Sequence, residues 1–276
     1  MVSIEQYGEF DTSWCPGCGN FPLLKGMKEA LVGLGLQPHE ILVSSGIGQA
    51  AKTPHYMKCN MFNGLHGRSL PVAQGMKMAN PEMPVICQSG DGCSYGEGGN
   101  HFLAAIRRNM DITLLVHNNQ IYGLTKGQGS PTTTRGQVTK TQPDGVPSEA
   151  FNPVAVAISM KASFVARAFT GETDHLASMI KAGIEHKGFA LIDIMQPCVS
   201  FNKVNTFGWY KEHSYILEDH DPSDWIAAMK LADEFPDKIP LGVLYKNDKE
   251  PYPTSEVLAK KRYDKEELKK VLQSYA

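Results

Sequence analysis

Two apolar runs, each closed by a polar turn, set the architecture of this chain. Val85-Ile86-Cys87 runs into Gly90-Asp91-Gly92-Cys93, and Ile112-Thr113-Leu114-Leu115-Val116 runs into Asn118-Asn119-Gln120-Ile121-Tyr122-Gly123. One helix-like segment separates them, the spacing required of adjacent strand ends in a parallel sheet. Asp91 follows the first strand and Asn119 the second. A hard cation such as Mg²⁺ takes oxygen ligands and shares them with a phosphate. Asp91 offers a carboxylate, Asn119 an amide oxygen and Ile121 a backbone carbonyl. The glycines let a bulky anion approach the backbone, and a helix starting near Gly98 aims its N–H groups at it. Alone, Gly-Asp-Gly is an ordinary turn and paired Asn residues often end a strand. Their joint spacing points instead to a metal–diphosphate site.

The remaining pattern alternates in the same way. Asn20 is placed to cap a helix carrying Leu24, Met27, Leu31 and Leu34 at helical spacing, stopped by Gly35. A strand Ile41-Leu42-Val43 opens into Ser44-Ser45-Gly46-Ile47-Gly48, and a helix follows Ser69. Residues 125–146, rich in Gly, Thr, Pro and Gln, read as a long functional loop. Asn152-Pro153 opens a helix, Phe164-Val165-Ala166-Arg167 reads as a strand, and a helix from His175 to His186 precedes the strand Ala190-Leu191-Ile192-Asp193-Ile194. Ser223 is placed to cap a further helix, and the charges from Asp264 to Tyr275 suit an exposed terminal one. The expected fold is α/β, a doubly wound, mostly parallel sheet. The loops at 44–48, 90–93, 118–123 and 197–198 all follow strands, so they converge on the edge where such sheets bind ligands.

Composition excludes several classes. With 27 Lys and Arg against 29 Asp and Glu, the formal net charge of −2 favours neither nucleic acid nor an anionic membrane. No apolar stretch approaches a membrane span, and Met1 to Asp11 lacks the apolar run of a signal peptide. Six cysteines in 276 residues, two of them in Cys-x-x-Cys, suit metal or redox work in a reducing compartment. The expected location is cytoplasmic.

Trp14-Cys15-Pro16-Gly17-Cys18-Gly19 precedes the first helix and has three readings: half a zinc site, a thioredoxin-like dithiol, or two iron–sulfur ligands. A redox dithiol follows a strand and places Pro next to the second Cys, whereas here Pro16 follows the first. A zinc site needs two further ligands in a compact arrangement, which the sequence does not display clearly.

Gly90-Asp91-Gly92, a helix and strand, then Asn119-x-Ile121 resembles the thiamine diphosphate motif. The chain as a whole resembles the β subunit of 2-oxoacid:ferredoxin oxidoreductases. The likeness runs from Trp14-Cys15-Pro16-Gly17-Cys18-Gly19-Asn20 through Ser45-Gly46-Ile47-Gly48, Lys52-Thr53-Pro54-His55-Tyr56 and Leu65-His66-Gly67-Arg68. It continues through Asn119-x-Ile121-Tyr122-Gly123-Leu124-Thr125, Ser130-Pro131-Thr132-Thr133 and Pro197-Cys198-Val199-Ser200-Phe201-Asn202.

The resemblance implies a thiamine-diphosphate-binding fold over residues 1–205 that carries the cysteine motif. Residues 206–276 form an extension packing on the same domain or on a partner. It implies Mg²⁺ on Asp91, Asn119 and Ile121, and cofactor contacts from Gly46, Ile47, Gly48, His66, Gly90, Gly92, Cys93, Gly123, Leu124 and Thr125. It assigns Cys15, Cys18 and Cys198 to a 4Fe–4S cluster. The family pattern has Cys where this chain has Gln49, a poor iron ligand beside a thiolate. Cys59 is then the nearest candidate for the fourth position and His55 a weaker one, while Cys87 is expected in the core and Cys93 packed in the diphosphate loop. Lys52, Arg68 and Lys126 are candidate anion partners for substrate, with Lys126 and His66 the candidate catalytic groups.

The implied activity is oxidative decarboxylation of a 2-oxo acid, 2-oxoglutarate or pyruvate, to acyl-coenzyme A and CO₂, with electrons passing to ferredoxin. Thiamine enzymes draw an activating Glu from another domain, so an α subunit is the expected partner in a heterodimer. Two alternatives stand beside this: a cluster-free thiamine-dependent decarboxylase subunit, which Gln49 permits, and a non-catalytic assembly subunit.

Overall fold

The computed structural model describes residues 2–254 and 265–274. Eight strands build one sheet: β1 Leu42–Ser45, β2 Asn60–Asn63, β3 Val85–Gly90, β4 Ile112–Asn118, β5 Phe164–Phe169, β6 Phe189–Met195, β7 Ser214–Ile216 and β8 Ile239–Lys246. Their order is β2-β1-β3-β4-β6-β5-β8-β7, all neighbours parallel except the antiparallel β5–β8 pair. The helices are α1 Asn20–Gly33, α2 Ser69–Ala79, α3 Gly99–Arg108, α4 Pro153–Ser159, α5 Thr173–Glu185, α6 Phe207–His213, α7 Trp225–Asp233 and α8 Lys265–Gln273. The sheet is therefore doubly wound and mostly parallel, as the strand–helix alternation predicts.

Central strands are buried on both faces, which is why their sequences read as continuous apolar runs. Leu114 and Val116 of β4 pack under α2, α3 and α4 with Phe102, Ile106 and Val154. Leu115, between them, packs on the other face with Leu23, Met27 and Leu31 of α1 and Ile180 of α5. Strand order reverses between β1 and β3, so a crevice opens beyond their carboxyl ends.

Several local expectations need correction. Asn20 does not cap α1: Gly19 holds that place, and Asn20 Oδ1 lies 2.7 Å from the buried His117 Nδ1. Asp224, rather than Ser223, caps α7, accepting from the N–H groups of Ile226 (2.9 Å) and Ala227 (3.0 Å). Between β3 and α3 the chain makes a π-helical turn, Gly92–Glu97, closed by Gly98 N–H donating to the Cys93 carbonyl at 3.0 Å. Strand β2 escaped the sequence reading because all four residues are exposed at the sheet edge, with no apolar alternation to betray it. Strands β7 and β8 also escaped it; they extend the sheet past β5, so part of 206–276 shares that sheet. For the terminal helix, Asp264 and Tyr275 lie outside the described residues.

Candidate active site

The loops after β1, β3 and β4 wall one crevice. Its lining includes Ile47, Gly48, Gln49, His66, Gly90, Asp91, Gly92, Cys93, Asn119, Ile121, Gly123, Leu124 and Thr125. All three expected Mg²⁺ ligands therefore face one space. Gly98 and Gly99 are not in that lining, so the backbone presented to an anion is the π-helical turn rather than the N-terminus of α3. Close approach explains two glycines: a Cβ on Gly46 would strike Cys93 Sγ, and one on Gly92 would strike the Tyr122 ring. Cys93 is buried, and its sulfur receives the N–H groups of Gly67 (3.2 Å) and Ile47 (3.4 Å). It ties three loops together.

Asp91 is buried beneath this floor. Ser130 Oγ donates to its Oδ2 at 2.5 Å, and Thr132 Oγ1 lies 2.7 Å from the same atom. Burial pushes the carboxyl up to about 6, against the pull of these hydroxyls. Its ionised form is thus favoured by a cation beside it. Asn119 Oδ1 accepts the Ile121 N–H at 3.0 Å, an Asx turn that holds two expected ligands in one bend. Behind Thr132, Asn118 donates to both Asp193 oxygens (3.2 and 3.3 Å), and Arg167 Nε stands 3.8 Å from Asp193 Oδ2. At the pocket mouth His66 Nδ1 is 3.0 Å from Glu97 Oε2, and Tyr122 OH donates to both Glu97 oxygens at 3.3 Å.

A second pocket abuts the first. Cys15, Cys18 and Cys198 line it together with Trp14, Asn20, Gln49, Asn119, Gly123 and Gln196. Gln49, Asn119 and Gly123 belong to both linings, and Cys198 Sγ lies 3.7 Å from where a Gly123 Cβ would stand. The cysteine turn is pinned locally: Trp14 Nε1 donates to the Gln49 carbonyl at 2.9 Å, and Gly19 N–H to the Pro197 carbonyl at 3.3 Å. Gln196 bridges the pockets, donating to Cys18 Sγ at 3.6 Å and accepting from Asn119 Nδ2 at 3.4 Å. Burial pushes the Cys18 thiol up, and the neighbouring Cys198 and Cys15 add to it. Gln49 Oε1 is buried with no hydrogen-bond partner. Among the described residues no three Cys, His, Asp or Glu side chains stand at the spacing of a single-ion site, so these thiols share a pocket wall rather than a point.

Other expected residues lie elsewhere. Cys59 is not in the cysteine pocket; its thiol lies 3.9 Å from the Met57 carbonyl at the margin of the α1-side core, and burial pushes it up to about 11. Cys87 is fully buried in β3. Lys52 and His55 line a neighbouring groove with Gly46, Ile47, Gly48 and Leu124, where Lys52 Nζ donates to Ser13 Oγ at 3.0 Å. Arg68 is exposed beside His101, 3.5 Å away. Lys126 is exposed on a left-handed turn (φ 77°). The three cations are not gathered at one point. Sequence reading gave no role to Ser130, Thr132, Glu97 or Gln196. Only the hydroxyl run Ser130-Pro131-Thr132-Thr133 offered a signal, because hydroxyls are apt partners for a buried carboxylate.

The family model described as thiamine pyrophosphate enzyme, C-terminal TPP binding domain, matches residues 44–194. A second model, for the C-terminal part of the pyruvate ferredoxin oxidoreductase beta subunit, matches residues 198–262. The chain is 46% identical over 86% of its length to subunit beta of 2-oxoacid:ferredoxin oxidoreductase 1 of Aeropyrum pernix, covering 78% of that protein. It is 43% identical over 85% of its length to the corresponding subunit of Saccharolobus solfataricus, covering 82% of it. Among solved structures, a 2-oxoglutarate:ferredoxin oxidoreductase from Magnetococcus marinus, with 2-oxoglutarate, coenzyme A and succinyl-CoA bound, superposes with a TM-score of 0.90 at 36% identity, covering 98% of this chain and 96% of that one. Two abutting pockets on a thiamine-binding sheet, together with these likenesses, place the chain in the family of 2-oxoacid:ferredoxin oxidoreductase β subunits.

Proposed function

We propose that this β subunit holds thiamine diphosphate and Mg²⁺ in the crevice beyond β1, β3 and β4, for oxidative decarboxylation of a 2-oxo acid to acyl-coenzyme A and CO₂. The observation that carries the reading is the shared wall of Gln49, Asn119 and Gly123 between the diphosphate pocket and the cysteine pocket. Asp91, Asn119 Oδ1 and the Ile121 carbonyl would hold the cation, and the donor set fits: one carboxylate and two neutral oxygens suit Mg²⁺ shared with a diphosphate. Bound thiamine diphosphate supplies the electron sink that decarboxylation of a 2-oxo acid needs. The chain's own residues hold and orient: Ser130 and Thr132 occupy one Asp91 oxygen, and the Cys93 sulfur anchors the loops that carry Gly46 and Gly67. His66 lines this crevice with Nδ1 3.0 Å from Glu97 Oε2 and is the proposed catalytic group there.

Cys15, Cys18 and Cys198 would hold a 4Fe–4S cluster, with Gln49 at the fourth side; its unpartnered buried oxygen and three thiols in one pocket suit that group. A cluster there supplies an electron acceptor beside the cofactor, and ferredoxin is the proposed carrier beyond it. Lys52 and Lys126 are the proposed anchors for substrate carboxylate, with Arg68 a third cation near α2. An α subunit is the proposed source of the activating Glu. Residues 1–205 are the proposed cofactor domain and 206–276 a proposed extension packing on it or on the partner subunit, with β7 and β8 sharing the sheet. No described helix is long and apolar enough to cross a membrane, and six free thiols suit the reducing cytoplasm.

The test is reconstitution with the cognate α subunit under anaerobic conditions. The pair is expected to reduce a low-potential acceptor in a reaction needing both 2-oxo acid and coenzyme A, while the isolated chain stays silent. Robust turnover by the isolated chain, with no other polypeptide detectable by mass spectrometry, would overturn the shared-site reading.

A further inference from the structure

Gln120 sits between two expected metal ligands, Asn119 and Ile121, in the left-handed region (φ 57°) and fully buried. Non-glycine residues hold that conformation only where the surroundings over-determine it. Three contacts do so here. Gln120 Nε2 donates to the Thr132 carbonyl at 3.1 Å, and its backbone carbonyl accepts from Thr133 Oγ1 at 2.7 Å. The third comes from 90 residues downstream: Tyr210 OH donates to Gln120 Oε1 at 3.0 Å. Tyr210 lies on the short helix α6, in the segment beyond the matched thiamine-binding region, with its ring fully buried against Phe169.

Buried in full, the Tyr210 hydroxyl must find a partner, and the partner it finds is the side chain between the two expected ligands. Buried amides and phenols are paired, and an amide spanning both the metal loop and a remote helix transmits the helix position to the loop. We infer that Tyr210 is a positioning residue of the cofactor site, setting the Asn119–Gln120–Ile121 bend through Gln120 so that both ligand oxygens face the cation. The inference rests on the metal–diphosphate reading above, and it makes the downstream segment a structural part of that site.

The experiment titrates Mg²⁺ into the full chain at saturating thiamine diphosphate, by calorimetry, and records the melting temperature without metal. Tyr210→Phe removes one hydroxyl and keeps the ring. It is expected to weaken Mg²⁺ binding about tenfold, the scale of outer-layer changes at metal sites, while the metal-free melting point moves by only a few degrees. Gln120→Ala should weaken binding at least as much, and the double variant no more than Gln120→Ala alone, because both break one contact. If Tyr210→Phe does not fold, Gln120→Ala with Tyr210 intact tests the same bond from its other end. Unchanged Mg²⁺ affinity in Tyr210→Phe, a fall in melting point without loss of affinity, or losses that multiply in the double variant would each overturn the inference. Failure of wild-type protein to bind thiamine diphosphate with Mg²⁺ would overturn the site reading itself, an outcome visible before any variant is made.

Discussion

On one side of the wall formed by Gln49, Asn119 and Gly123, the Asp91 carboxylate is met by two hydroxyls and backed by a buried polar layer running to Asp193 and Arg167. On the other side, Gln49 Oε1 is buried with no hydrogen-bond partner, and Gln49 lines a pocket that also holds three thiols. The first region is organised through its second layer before any cation arrives. The second is held mainly through backbone carbonyls, Gln49's accepting from Trp14 Nε1 and Pro197's from the Gly19 N–H, with a single thiol contact, Gln196 Nε2 to Cys18 Sγ. Ligand orientation built into the chain makes binding depend on single atoms. A loosely specified ligand wall makes binding depend on the number of strong donors. The same strand ends thus carry two different strategies.

Three substitutions test that contrast, in decreasing order of effect. Asp91→Ala removes the only carboxylate among the three proposed Mg²⁺ ligands on the organised side. Thiamine diphosphate binding in the presence of Mg²⁺ should weaken about 100-fold or more, the scale of ~3 kcal/mol for a lost charged contact. Calorimetric titration measures it, and an unchanged affinity would dissolve the contrast by removing its first half.

On the other side, Gln49→Cys should add the strong donor that the pocket lacks. Iron–sulfur absorbance of the anaerobically reconstituted chain should then decay in air several-fold more slowly, about threefold to tenfold, because a thiolate holds iron more firmly than an amide. Reconstitution that yields no iron in either protein would refute the cluster and leave the thiamine site standing.

The smallest effect concerns Cys59, which the fold keeps at the margin of the core. Cys59→Ser should leave iron content and its rate of loss unchanged. The thiol, pushed up to about 11 by burial, should also resist alkylation near neutral pH. Since the thiolate is the reactive form, its rate should climb about tenfold per pH unit until pH approaches 11. Fast alkylation at pH 7, followed by mass spectrometry of the Cys59 peptide, would place this thiol in an open site after all.

That the candidate-site residues share one crevice was legible because the signals are local. Asp91 and Asn119 each follow an apolar run, and one helix between two parallel strands puts their ends side by side. The cysteine turn was legible for the same reason, since Cys15 and Cys18 share a short bend. What escaped reading has no periodic signature. Strand β2 is exposed on every residue, and the π-helical turn at 92–97 looks in sequence like the approach to an ordinary helix. Cys59 looked close to the expected cluster ligands only because it follows Gln49 in sequence, and the fold leaves it out of their pocket.

The sequence by itself determined the sheet class, the strand ends that carry chemistry, and the residue types available there, because two-sided burial and glycine turns impose their patterns over a few residues. Only the tertiary structure decided who supports those residues. Ser130 reaches Asp91 across 39 positions, Gln196 reaches Cys18 across 178, and Tyr210 reaches Gln120 across 90. Hydrogen bonds between side chains so far apart depend on how strands and helices stack, and nothing in the local pattern of apolar and polar residues encodes that stacking. The same holds for Gln49: its identity is plain in the sequence, but its position in a wall shared by two pockets follows from the packing of β1 beside β3.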